Sequence, residues 1–275
     1  MSQRLKLKEK AEDYPHQLLL SATPIPRTMA MGVLSGLDIS TIKSLPPNRT
    51  PIITTTLPNN RRDALINRIK SAINKNSQVY WVCPLIDESE SELIGIEDLE
   101  KMLKKEFDSQ DYEIIHGKMK DMDKQKILSD FKEKKTKILL ATTVIEVGID
   151  VPDANIMVIE NSERFGLAQL HQLRGRVGRG EKESFCILMH NDSLTELPEK
   201  RLQIITETND GFVIAEEDLK LRGPGDILGL SQTGQPSFTF FDLLANEELQ
   251  GEAERLAQEA VSYTHLTLPT RSTGG

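Results

Sequence analysis

The run Gln172-Leu173-Arg174-Gly175-Arg176-Val177-Gly178-Arg179-Gly180 sets Arg176 and Arg179 three residues apart among glycines. A guanidinium is charged at every physiological pH and grips phosphate oxygens through two parallel N–H donors. Such a pair, on a backbone that can come close to a polyanion, suits a triphosphate whose charge shifts during hydrolysis. The same residues also fit a solvated basic helix surface, and Arg-Gly runs occur in RNA-binding tails. No spacing of cysteine and histidine fits zinc, so no metal site is expected. Cys83 and Cys186 lie far apart within apolar runs and read as buried thiols of a reducing compartment, with the cytoplasm as default.

The elements that must position those arginines begin with short apolar runs: Leu18 to Leu20, Val79 to Cys83, Tyr112 to Ile115, Ile138 to Ala141, Ile156 to Ile159 and Phe185 to Leu188. Each is strand length and several are rich in β-branched residues, as buried parallel strands require. Between them Leu65, Ile66, Ile69, Ala72 and Ile73 follow one helical face. Ile96, Leu99, Leu103 and Phe107 follow another, and Ile127, Leu128 and Phe131 a third. Strands alternating with helices predict an α/β fold with a parallel sheet and right-handed connections.

The stretch from Pro46 to Pro51 reads as a linker. Before it, residues 1–45 hold one strand and one or two helices, too little for a lobe; residues 52–192 hold enough for a complete one. From 193 to 260 the pattern turns helical, with Gly223-Pro224-Gly225 as a breaker. Residues 261–275 change abruptly to Thr, Ser, Gly and Pro, which predicts a disordered or foreign tail.

The 275 residues are 38% hydrophobic and 28% charged, the balance of a globular protein, and no apolar run approaches a membrane span. The net charge of −8 argues against binding nucleic acid by bulk electrostatics. It leaves room for a motor that touches a few phosphates locally.

Motifs in order along the chain add a family. Gln172, Gly175, Arg176, Gly178 and Arg179 match motif VI of superfamily-2 helicases, Gln-x-x-Gly-Arg-x-Gly-Arg. The segment Thr142-Thr143-Val144-Ile145-Glu146-Val147-Gly148-Ile149-Asp150-Val151-Pro152 resembles motif V, Ser21-Ala22-Thr23-Pro24 resembles motif III, and Val79 to Leu85 stands where motif IV belongs. The stretch from Ile159 to His171, and Asp218-Leu219-Lys220-Leu221-Arg222-Gly223-Pro224-Gly225-Asp226 with Gln232-Thr233-Gly234 beyond it, resemble the RecG family of ATP-dependent DNA helicases. The resemblance covers about residues 3 to 260.

That resemblance implies a second RecA-like helicase lobe over 52–192, a remnant of the first lobe with motif III before it, and a translocation hairpin with a C-terminal helix after it. Arg176 and Arg179 would be catalytic arginine fingers, with Gln172, Gly148 and Asp150 near the nucleotide. Thr142 and Thr143 would meet DNA phosphates, although Thr142 also suits a helix cap. Ser21 and Thr23 would relay between nucleotide and DNA. His116, which precedes Gly117 after a strand, would be structural or lie near a phosphate. Arg222 and Gln232 would couple fuel to movement; without the resemblance they read as surface residues.

ATP, Mg2+ and branched double-stranded DNA are the implied cofactors and partners, acting on a monomer. No Gly-x-x-x-x-Gly-Lys-Ser/Thr loop and no Asp-Glu-x-His box occur in the chain. In the family they supply the phosphate cradle and the magnesium ligand. Met1 is therefore expected to be a truncation point or internal start, and the chain alone to be inactive. Two other readings stay open: a motor fragment of the transcription-repair coupling factor, and a non-enzymatic module that binds nucleic acid or a partner.

Overall fold

The computed structural model describes residues 51–84, 92–142, 151, 153–180 and 182–222, with isolated positions between 18 and 42 and between 252 and 260. Six strands form one sheet: β1 Ile53–Pro58, β2 Gln78–Val82, β3 Tyr112–Ile115, β4 Ile138–Ala141, β5 Ala154–Ile159 and β6 Phe185–His190. Their order is β1-β6-β5-β2-β4-β3, and every pairing is parallel. Among the described residues these α-helices accompany them: α1 Arg62–Ile73, α2 Glu92–Glu106, α3 Asp121–Lys132, α4 Leu167–Arg174, α5 Glu196–Glu207 and α6 Gly211–Arg222.

The period-2 alternation of strand side chains sorts two cores, one on each face of the sheet. Val79, Trp81 and Cys83 of β2 and its end, with Ile138 and Leu140 of β4, pack beneath α1 and α2. Tyr80 and Val82, with Leu139 and Ala141, pack on the other side with Ile127 and Phe131 of α3 and the buried faces of α4, α5 and α6. Strands β2, β4 and β5 are buried along their whole length, which is why they read as continuous apolar runs.

Five of the expected runs are strands. Strand β1, Ile-Thr-Thr-Thr-Leu-Pro, was not expected; as an edge strand it pairs with β6 alone and needs no unbroken apolar run. The run Leu18 to Leu20 is a correction: Leu18 and Leu20 lie in no strand and are 83% and 86% exposed. Leu19 lies outside the described residues. The rest of the expected first-lobe remnant and the expected linker, up to residue 50, lie outside the described residues, as do 223–251 and the expected tail.

The topology fixes where a site can form. After β2 the chain leaves toward β3 on one side; after β5, the neighbour of β2, it leaves toward β6 on the other. In open parallel sheets such a divergence opens a crevice at the carboxyl ends of the strands. The segments that follow β2, β4 and β5 all emerge there.

Candidate functional site

The arginine-bearing segment starts at the end of β5. Glu160 is followed by Asn161 in the left-handed region (φ 44°), a short turn of 3-10 helix at Ser162–Arg164, and α4. Gly166 donates its N–H to the Gln169 side chain at 3.0 Å, which closes the first turn of α4. Leu167, Leu170 and Leu173 bury one stripe of the helix in the core. Beyond its end the Arg176 and Val177 amides bond back to Leu173 and Arg174, so the helical turn runs on into the arginine loop.

That loop is fixed from two sides. Val177, between the two arginines, is fully buried. Gly178 has φ 79°, and a Cβ there would stand 2.9 Å from Cγ1 of Ile52, the residue that leads into β1. Arg176 is consequently half-buried and Arg179 exposed, while Gln172 is half-buried on α4 one turn earlier. The sequence-predicted trio Gln172, Arg176 and Arg179 thus shares one helix and its loop.

Thr142 stands at the end of β4, separated from β5 by β2. It is fully buried, its amide bonds to the Ile115 carbonyl at 3.3 Å, and its hydroxyl finds no partner among the described residues. His116 follows the neighbouring strand β3, and its Nδ1 is buried and likewise without a described partner. The two atoms lie at the ends of adjacent strands. Arg222 is the last residue of α6. Ser21, Thr23, Thr143, Gly148, Asp150 and Gln232 lie outside the described residues.

Four further charged groups were not singled out from the sequence. At the end of β5 the buried Glu160 carboxylate receives both arms of Arg62 from α1, one of them at 2.8 Å, and the Trp81 indole N–H at 2.9 Å. The bond to Glu160 raises the Arg62 pKa above its ordinary value, against the effect of burial. A single tryptophan in an apolar strand signals such an acceptor, because a buried indole N–H usually finds one.

The other two are Arg174 and Arg201, which tie α4 and α5 together reciprocally. Arg174, only 2% exposed, donates to the carbonyls of Ile205 at 2.7 Å and Thr208 at 2.8 Å, at the carboxyl end of α5. Arg201, from α5, donates to the Phe165 carbonyl at 2.8 Å, just ahead of α4. The pair α5–α6 is therefore bolted to both ends of the arginine-bearing segment. Among the described residues no group of His, Cys, Asp or Glu could hold a metal ion, and no helix is long and apolar enough to cross a membrane.

Known proteins share this arrangement. The helicase conserved C-terminal domain model matches residues 54–181, and the model for domain 3, C-terminal, of the ATP-dependent DNA helicase RecG matches residues 208–259. The RecG helicase of Pasteurella multocida is 50% identical over 252 residues, which are 90% of this chain and 36% of that protein. Over these regions the chain is similar to the RecG helicases. RecG of Streptococcus pneumoniae is 44% identical over 259 residues, 94% of this chain and 38% of its own length. A solved structure of RecG bound to a three-way DNA junction superposes with a TM-score of 0.66 at 40% identity, covering 87% of this chain and 32% of that one. The chain thus spans little more than a third of the RecG proteins it matches.

Proposed function

We propose that this chain is the C-terminal motor part of an ATP-driven DNA helicase that remodels branched DNA, such as replication forks and Holliday junctions, in recombination and repair. The observation that carries the reading is the arginine loop. Two guanidiniums stand on a loop that follows a core-anchored helix and packs against the residue leading into β1, in a chain 40% identical to a RecG seen bound to a three-way junction. In this reading Arg176 and Arg179 stabilise charge on the γ-phosphate during transfer, and Gln172, Gly148 and Asp150 approach the nucleotide. Thr142 and Thr143 bind DNA phosphates, Ser21 and Thr23 relay between the two sites, and Arg222 and Gln232 couple hydrolysis to movement. Magnesium would accompany ATP, but no described residue is suited to hold it, so no step is assigned to it.

The domain match over 208–259 and the RecG relatives favour this reading over a coupling-factor fragment. The protein would act as a monomer in the cytoplasm. The test is turnover: this chain alone should hydrolyse no ATP above background, because it lacks a phosphate-cradling loop. A full-length protein carrying it should unwind a three-way junction when given ATP. Turnover by the isolated chain, or a full-length protein inert on junctions, overturns the proposal.

A further inference from the structure

Three arginines lie between 174 and 179, and the family pattern assigns roles only to Arg176 and Arg179. Arg174 occupies a position the pattern leaves open, and it turns the opposite way, into the molecule. Its described partners include no carboxylate: they are the Ile205 and Thr208 carbonyls and Nδ1 of His171, 3.0 Å away. Burial pulls its pKa below the ordinary guanidinium value. An ionised group held this way is costly, and an apolar residue of similar length would anchor a helix more cheaply. What arginine adds is a rigid fork spanning several acceptors at once, aimed at the negative end of a helix whose last carbonyls need donors.

The contacts do not stop at α5. The Thr208 hydroxyl accepts the Asp210 amide at 3.0 Å, and the Asp210 carboxylate accepts the Phe212 amide at 2.8 Å, capping α6. A continuous polar path therefore runs from α4, two residues before Arg176, through the turn at 208–210 and into the helix that ends at Arg222.

We propose that Arg174 is a positioning residue of the motor, the link that makes the α5–α6 hairpin follow the arginine-bearing helix through Thr208 and Asp210. This rests on the helicase reading above. Arg174 touches neither nucleotide nor DNA; it converts a shift of the arginine loop into a shift of the hairpin.

The experiment measures ATP consumed per junction unwound in a full-length protein carrying this segment, for wild type, Arg174→Met, Arg174→Lys and Asp210→Ala, with melting temperatures. Arg174→Met should keep DNA-stimulated hydrolysis within a few-fold while ATP per junction rises about 10-fold or more, the scale of a lost coupling between sites. Arg174→Lys, with charge but no fork, should fall between, and Asp210→Ala should shift the ratio the same way. Should Arg174→Met fail to fold, the other two variants carry the test. An unchanged ratio, or hydrolysis and unwinding falling together in step with melting temperature, overturns the link. A wild type that hydrolyses ATP without unwinding any junction would instead defeat the helicase reading, and this inference with it.

Discussion

Two arginines, the half-buried Arg62 and the buried Arg174, hold the two flanks of the sheet in opposite ways. Arg62 meets a carboxylate: Glu160, itself 3% exposed, takes both arms of the guanidinium and the Trp81 indole as well. Among the described residues Arg174 meets two carbonyls and an imidazole. Removing Arg62 strands a charge in the core. Removing Arg174 strands no carboxylate among the described residues. The first corner should therefore govern whether the lobe folds, and the second how its parts move together.

Stability measurements on this chain can break that contrast. Arg62→Leu should cost about 3–5 kcal/mol, because an unpaired buried carboxylate remains. Joint replacement of Arg62 and Glu160 by methionines should recover most of the loss. A cost under about 1 kcal/mol in urea unfolding would show that the pair is not a structural lock. Arg174→Met should cost less, about 1–2 kcal/mol for two carbonyls left short of a donor; equal costs at both corners would erase the distinction.

The smallest effect belongs to two thiols, each near one corner. Burial first, then the Glu160 charge, pushes Cys83 up to about 12; burial pushes Cys186 to about 12, with Arg174 opposing. Both folded values lie above the ordinary 9.0, so the stability they contribute is complete below about pH 9. It is lost as pH rises from there toward 12, while unfolded thiols ionise and folded ones stay protonated. Native protein at pH 8 should accordingly resist thiol alkylation until denatured. Rapid labelling of either cysteine in the folded state would contradict its burial.

Much of this lobe was legible before any coordinates. Parallel strands buried on both faces leave unbroken apolar runs, so β2 to β6 were visible. The edge strand β1, with Thr54, Thr55 and Thr56, has one neighbour and left no such trace. At the site, motif spacing placed Gln172, Arg176 and Arg179 together but could not say which way Arg174 turns. A hint was present: position 174 continues the buried stripe of Leu167 and Leu170 at helical spacing. The Arg62–Glu160 pair left none, because its partners are 98 residues apart and meet only through sheet order.

The central claim is that Arg176 and Arg179 act on the transition state of ATP hydrolysis. Its most direct test is steady-state kinetics of Arg176→Ala in a full-length protein carrying this segment. The account predicts a kcat lower by roughly 10³-fold or more with nucleotide affinity changed far less, since an arginine finger contributes mainly as charge develops. A variant that binds nucleotide poorly but turns over at the normal rate when saturated would contradict it.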